Sequence, residues 1–472
     1  MNEAIKNRPV FRNRKMIFGK IKELFFVGIG GSGMSGIAEI LHNLGYRISG
    51  SDMNRSEITE RLEKLGIEVF YGHRPENIGR SNVVVISSAV GSDNPEVVAA
   101  RNSGIAVIKR AEMLGELMRL KFSIGIAGTH GKTTTTSMLG KIMVDAGLDP
   151  TVIVGGIVAG KGTGAALGGG DYLVAEADEY DRSFLKMFPS MAVITNIEPD
   201  HLECYDGLDD LENSFLTYMN RVPFYGMVVY SSDDPILARL QAAITRAAVS
   251  FGFAPGADYQ AVEYGDVAGG SRFVLFRRDE KLGEIRLAVP GQHNAANALA
   301  AAAAALELEV PFDKIASSLH DFGGVSRRFE IKGVVNDIMV VDDYAHHPTE
   351  LRATLTTARS YGRRIILVFQ PHLYSRTRQF YREFADTVRL ADEVILTAIY
   401  PAREQPIEGV TSEMIAQYAR STGFDAIRAV GTKENAIPEI IGMARPGDMI
   451  ITAGAGSITH IGPQIIERLK TR

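Results

Sequence analysis

Three times along this chain an apolar run ends in a glycine-rich turn that opens a helical pattern. Leu24-Phe25-Phe26-Val27 runs into Gly28-Ile29-Gly30-Gly31-Ser32-Gly33, residues 122–127 run into Gly128-Thr129-His130-Gly131-Lys132-Thr133-Thr134, and residues 449–452 run into Ala453-Gly454-Ala455-Gly456-Ser457. No other feature restricts the fold as much. A strand that turns at once into a helix does not pair with its successor as a hairpin. The helix carries the chain back across the sheet, and the next strand lies parallel to the first. Further strand-like runs at 46–48, 67–71, 83–87 and 105–108, at 172–175, 192–196 and 227–230, and at 338–341, 364–369 and 394–397 continue the alternation. The expected class is α/β. Residues 257–290 break the pattern, with short runs at 273–277 and 284–289 separated by glycine and charge, and predict a small antiparallel insert.

The 472 residues suit about three domains. The expected boundaries are a mobile tail over 1–20, then 21–120, 121–325 and 326–472. The tail is basic (Lys6, Arg8, Arg12, Arg14, Lys15) but has neither an apolar stretch nor a small-residue cleavage site, so it does not read as a secretory signal. The formal net charge of −5 argues against a nucleic-acid partner. The single cysteine, Cys204, excludes a disulfide framework and a cysteine zinc site. The most apolar run, 298–306, is too short to cross a bilayer, so no membrane insertion is expected and the cytoplasm is the expected compartment. A monomer or weak dimer is expected.

The first glycine turn has the Gly-x-Gly-x-x-Gly spacing in the strand–helix context that lets backbone N–H groups approach a diphosphate. Asp52, 19 residues after Gly33, follows a strand-like run and could reach a ribose. The ligand is open on this evidence: a nicotinamide dinucleotide, another nucleoside diphosphate, or none. The second turn reads as a phosphate-binding P-loop. Backbone N–H groups cradle the phosphates, Lys132 reaches the β and γ oxygens, and Thr133 can ligate Mg²⁺. It departs from the strict spacing, since Ile126 stands five residues before Gly131. Glu176 ends one strand and His201 follows another, where a carboxylate and an imidazole can become metal ligands beside a P-loop. Taken singly, they would be a helix-capping acid and a surface histidine. Asn294 and Asn297 either read a base edge or cap the alanine-rich helix. Arg327-Arg328, Asp343-Tyr344-Ala345-His346 and Arg376-Thr377-Arg378 place polar groups at successive strand ends of the third segment, with surface ion pairing the expected role for one arginine of each pair.

Taken in order, the motifs Gly-x-Gly-Gly-x-Gly-Met-Ser, Gly-Thr-His-Gly-Lys-Thr-Thr-Thr, Glu-Ala-Asp-Glu, Asn-Ile-x-x-Asp-His, His-Asn-x-x-Asn, Arg-Arg-Phe and Asp-Asp-Tyr-x-His-His-Pro resemble the Mur ligase family, over about residues 22–470. Within it they look most like the alanine-adding branch. The resemblance implies three consecutive domains: a Rossmann-like N-terminal domain for a UDP-sugar, a P-loop ATPase central domain, and a Rossmann-like C-terminal domain for an amino acid. It implies ATP and Mg²⁺, UDP-N-acetylmuramate and L-alanine as substrates, and an acyl-phosphate intermediate. By the same resemblance Gly28, Gly30, Gly31, Ser32, Gly33 and Asp52 hold the UDP-sugar. Gly128, Thr129, His130, Gly131, Lys132, Thr133, Thr134, Asn294, Asn297 and Arg328 hold ATP, and Thr133, Glu176 and His201 hold metal. Asp343 joins Lys132, Glu176, His201 and Arg328 in catalysis, and Tyr344, His346, Arg376 and Arg378 take the amino acid. Two departures stand out. Leu373 replaces an arginine of some relatives, and residues 211–221 lack the lysine that other branches carbamylate.

Overall fold

The computed structural model describes residues 18–87, 89–155, 165–200, 204–267, 269–402 and 404–471. Most of the expected tail and His201 lie outside the described residues. By contacts the chain forms two compact units, Met1–Gln260 with Ala300–Ile315, and Ala261–Leu299 with Ala316–Arg472.

The first unit opens with a five-stranded parallel sheet in the order Glu68–Tyr71, Arg47–Asp52, Glu23–Val27, Val83–Ile86, Ala106–Lys109. The strand order reverses beside Glu23–Val27, which puts the first glycine turn at the point where such sheets receive ligands. Both faces of this strand are covered. Leu24 and Phe26 point into one cluster, Phe25 and Val27 into the other, which is why the run is continuously apolar rather than alternating. Burying a large apolar side chain of this kind contributes roughly 1.5–3 kcal/mol.

The unit continues with a second sheet, in which Ala248–Gly252, Met227–Ser231, Met191–Ile194, Phe122–Ala127, Tyr172–Glu176 and Thr151–Ile153 pair in parallel. Ala165–Ala166 closes one edge antiparallel. One apolar cluster runs through both sheets, from Phe26 and Ile37 through Met113 and Leu117 to Phe184, Phe215 and Tyr218. The helix Ser32–Asn43 is joined to the second sheet through Gly36, where an added Cβ would come within 2.7 Å of Ala165.

In the second unit, Gly270–Arg277 and Glu280–Leu287 form the expected antiparallel pair. A six-stranded sheet follows, in the order Glu330–Val335, Ile338–Asp343, Asp448–Ala453, Arg364–Phe369, Glu393–Leu396, Ile427–Ala429. It is parallel except for the first strand. Ile365, Leu367 and Phe369 face one cluster while Ile366 and Val368 face the other.

The α/β class, the parallel sheets and the insert agree with the sequence reading. Several strands escaped it: Thr151–Ile153, Ala165–Ala166, Ala248–Gly252, Glu330–Val335 and Ile427–Ala429, along with Tyr259–Val267 within the span expected for the insert. Most are short or at a sheet edge, where the apolar signal is weak. Among the described residues no helix is long and apolar enough to cross a membrane.

Tyr218 is fully buried and stacks on Phe184, with ring centroids 5.1 Å apart. Its hydroxyl faces Gly125, where an added Cβ would lie 2.1 Å away, and it has no hydrogen-bond partner among the described residues. A buried hydroxyl without a partner costs roughly 1–3 kcal/mol. Tyr218→Phe should therefore hold or raise the thermal midpoint. A fall of several degrees would mean the hydroxyl is bonded after all.

Candidate functional site

The P-loop follows the central strand Phe122–Ala127 and opens the helix Lys132–Asp145. Gly131, just before the helix, has φ +87°, and Gly128 has φ +135°. A side chain at Gly128 would also meet the Thr195 hydroxyl at 2.0 Å, so this position excludes a Cβ on two grounds. The neighbouring strand Met191–Ile194 holds the loop through the residues that follow it. The Asn196 carboxamide accepts from the His130 N–H at 2.8 Å and donates to the His130 carbonyl at 3.0 Å. Thr195 donates to the same carbonyl at 2.6 Å. The Thr129 hydroxyl accepts from the Glu198 N–H at 2.8 Å. The loop is therefore shaped before any phosphate arrives.

Lys132 folds back over the loop and donates to the Gly128 carbonyl at 2.7 Å and the Thr129 carbonyl at 3.1 Å. It also reaches both carboxylate oxygens of Glu179, at 3.0 and 2.7 Å. Burial works against its charge. Glu179 foremost, then Asp178 and Glu176, outweighs burial and raises the lysine pKa, so the ammonium stays charged.

Glu176 ends the strand on the other side of the P-loop strand. Its carboxylate hydrogen-bonds the Thr133 side chain and the Gly155 backbone. Burial, only partly offset by these bonds and by Lys132, raises its pKa. Its Oε1 is buried and has no hydrogen-bond partner among the described residues. A hydroxyl oxygen joined to a carboxylate with a spare buried oxygen is a hard-oxygen donor set, and it fits Mg²⁺.

In the first sheet the Gly30 N–H donates to Asp52 Oδ2 at 2.9 Å, and Asn54 N–H to Oδ1 at 3.2 Å. Asp52 thus braces the turn across the sheet. A Cβ at Gly30 would lie 2.8 Å from this carboxylate, and one at Gly33 would lie 3.0 Å from the Arg110 guanidinium. Arg110 is a cation beside the first turn of the helix Ser32–Asn43. Gly28, with φ +77°, and Gly31 complete the turn. Of Ser32 only the helical backbone is described.

The second unit carries the rest. Arg327 reaches the Gly454 carbonyl at 2.5 Å and the Gly456 carbonyl at 3.2 Å, and lies 3.4 Å from the fully buried Asp342. Arg328 turns to Glu350 at 3.5 Å, and both guanidiniums lie over the Tyr344 ring, at 4.7 and 5.3 Å. Asp343 accepts from the Phe329 and Ala345 N–H groups, each at 2.7 Å. Burial outweighs those bonds and Arg328, pushing its carboxyl up to about 6. His346 bonds Glu350 at 3.0 Å, and its ring packs on His372, which stacks on Tyr400. Arg376 is buried in the helix Tyr374–Val388, whereas Arg378 is exposed on it. Asn294 and Asn297 are both buried near the start of the helix Gln292–Glu307, and Asn294 donates to the Pro290 carbonyl at 2.7 Å. The sequence reading did not assign roles to Asn196, Thr195, Glu179, Arg110 or His372. Asn196 and Glu179 each lie within a motif already singled out for another residue, which was the available signal.

Three family models cover most of the chain: "Mur ligase family, catalytic domain" over residues 23–122, "Mur ligase middle domain" over 126–305, and "Mur ligase, glutamate ligase domain" over 327–456. A UDP-N-acetylmuramate–L-alanine ligase of Geotalea uraniireducens is 50% identical over 96% of this chain and 99% of its own. One of Koribacter versatilis is 50% identical over 97% and 99%. The crystal structure of the UDP-N-acetylmuramate–alanine ligase from Thermotoga maritima matches with TM-score 0.80 at 30% identity, over 96% of this chain and 99% of that one.

Two outcomes follow from the geometry. Asn196→Ala removes both of its bonds to the His130 peptide and leaves that carbonyl to Thr195, at a cost of roughly 1–3 kcal/mol. The melting temperature should fall by several degrees, and an unchanged value would show the clamp to be redundant. The His293 side chain is exposed, yet desolvation by the protein packed around it, with Arg328 adding to it, pushes its imidazole down to about 4. The unfolded chain therefore takes up this proton first, so the stability His293 contributes falls as pH drops from about 6.5 toward 4. In an NMR titration the His293 ring should stay neutral above pH 5. Protonation near pH 6.5 would show that its surroundings do not lower it.

Proposed function

This chain belongs to the Mur ligase family, and on that premise we propose that it joins L-alanine to the muramoyl carboxylate of UDP-N-acetylmuramate, driven by ATP, in peptidoglycan precursor synthesis. The observation that carries the reading is identity near 50%, over almost the whole chain, with relatives named for that reaction. The prepared P-loop around Lys132 supports it.

In this reading the ATP phosphates lie on the N–H groups of Gly128–Thr134, with Lys132 on the β and γ oxygens, and Asn294 and Asn297 hold the nucleoside. The UDP diphosphate lies on the turn from Gly28 to Gly33, with Arg110 supplying positive charge. The muramoyl carboxylate attacks the γ-phosphorus and ADP leaves, giving the acyl phosphate. The alanine amine then attacks the acyl carbon, loses a proton, and the tetrahedral adduct expels phosphate to leave the amide. Lys132 and Arg328 stabilise the charge that develops on the transferring phosphoryl group. Tyr344, His346, Arg376 and Arg378 orient the amino acid, with the buried Arg376 the better placed of the two arginines to meet a desolvated carboxylate. Asp343 fixes the backbone beside Arg328. Thr133 and Glu176 would hold Mg²⁺, which when bound screens the phosphate charge, and His201 would hold a second near the sugar carboxylate. The boundaries 21–120, 121–325 and 326–472, a cytoplasmic location and a monomer or weak dimer belong to the same proposal.

Mass analysis of the products from ATP, UDP-N-acetylmuramate, a mixture of amino acids and the cell-wall tripeptide tests it. The expected product is the alanyl adduct, formed with one ADP. Preferential transfer of the tripeptide would replace the reading with that of a recycling ligase. Lys132→Ala should lower turnover by a few hundredfold, corresponding to roughly 3–4 kcal/mol of lost charge stabilisation. Turnover within tenfold of the parent would remove Lys132 from the chemistry. Glu176→Ala should raise the Mg²⁺ concentration needed for half-maximal activity, and an unchanged Mg²⁺ titration would leave Glu176 as a bracing acid only.

A further inference from the structure

Lys132 is committed to a partner within the protein. Both oxygens of Glu179 lie within hydrogen-bond distance of its ammonium, and the two side chains are buried together. A lysine that serves the β and γ phosphates has to change partner when they arrive. The segment around Glu179 is built to hold that carboxylate in place. Its carbonyl accepts from the Tyr205 hydroxyl at 2.5 Å and from the Arg182 N–H at 3.0 Å. Asp181 and Arg182, two and three residues further on, take left-handed backbone conformations at φ 54° and 52°. Lys109 anchors Asp181 at 2.6 Å, and Asp210 anchors Arg182, whose guanidinium covers the Tyr205 ring at 4.8 Å. Two adjacent left-handed residues that are not glycine are strained, and persist only where surrounding contacts enforce them.

We propose that Glu179 is a positioning residue that holds Lys132 folded over the P-loop and competes with the nucleotide phosphates for it. The proposal rests on the assignment of the P-loop to ATP. Glu179 keeps the loop charged and shaped between turnovers. It also sets the affinity for ATP and ADP below what an uncommitted lysine would give, because each binding event breaks a buried ion pair and each release restores it. No covalent step is involved. The competition acts only where Lys132 acts, on the β and γ phosphates, so AMP should not sense it.

The test uses the full-length protein with Mg²⁺ and measures ATP, ADP and AMP binding by calorimetry for the parent, Glu179→Gln, Lys132→Ala and the double variant. Glu179→Gln keeps the shape of the side chain and removes its charge. Circular dichroism and the melting temperature check that each variant folds. The expected result is three- to tenfold tighter ATP and ADP binding in Glu179→Gln, unchanged AMP binding, and no gain from the same substitution once Lys132 is alanine. In steady state the KM for ATP should fall by a similar factor, while the KM values for the other two substrates stay within twofold. ATP and ADP affinities that are unchanged or weakened in Glu179→Gln, or a gain that persists without Lys132, would overturn the proposal. If Lys132→Ala binds ATP as well as the parent, the P-loop assignment itself fails, a result separable from failure of the competition. Should Glu179→Gln not fold, Tyr205→Phe, which removes the hydroxyl on the Glu179 carbonyl, should shift ATP affinity in the same direction. No shift there would count against the proposal.

Discussion

The pairing of Phe122–Ala127 with a parallel strand on each side fixes where the chemistry of the first unit can sit. Parallel register brings the carboxyl ends of three strands to one level: Ile126 stands opposite Glu176, and Ala127 opposite Ile194. From that level one neighbour supplies Glu176, and the other leads into Thr195 and Asn196. The P-loop is consequently braced from one side by neutral amide and hydroxyl groups, and met on the other by carboxylates. A slip of one residue in either pairing would send every side chain to the opposite face. It would part Asn196 from the His130 peptide and Glu176 from Thr133.

The same division of labour recurs in the other sheets. Asp52 in the first sheet and Asp342 with Asp343 in the third stand at strand ends and bond backbone or neighbouring side chains rather than projecting freely. In each case a carboxylate fixes the backbone or side chains around a strand end. Arg327 and Arg328 show the principle in a pair. Arg327 is absorbed by Asp342 and two carbonyls, so Arg328 is presented beside Tyr344 and Glu350. Surface ion pairing was the expectation for one of the two arginines. The bracing contact is instead to a buried acid.

What the sequence made legible was the part governed by local rules. Continuous apolar runs such as 24–27 and 364–369 declared buried parallel strands, and glycines at positive φ declared the turns. The hairpin from Glu330–Val335 to Ile338–Asp343 was missed although its two-residue turn, Asn336-Asp337, has φ 51° and 59°, the geometry of a tight hairpin. Half-exposed Ile331 and Val334 with Lys332 between them gave too weak an alternation. Partners separated by tens of residues were beyond reach for another reason. Nothing near Lys132 in sequence announces Glu179, and nothing near Gly33 announces Arg110. Those meetings are set by sheet order, which no local pattern encodes.

Backbone strain follows the same map. Among the described residues, non-glycine positions with positive φ include ordinary turn residues such as Asn336 and Asp337. They also include Asp181 and Arg182 beside Glu179, Arg327 and Phe329 on either side of Arg328, and Leu373 just before the helix that carries Arg376. Such conformations cost about 1–2 kcal/mol each for residues with a Cβ, and glycine would remove that cost. Glycine would also loosen the segment. At Arg327 and Phe329 the side chains are themselves needed, one for Asp342 and the strand-end carbonyls, the other for packing on Tyr361. At Leu373 the buried side chain and the bond from its N–H to the Tyr400 carbonyl fix where the helix begins. The strain is retained where a charged side chain must be aimed and the residues beside it must also anchor. At Arg327, Phe329 and Leu373, unlike the ordinary turns, what glycine would gain in backbone strain is offset by the loss of these anchoring contacts.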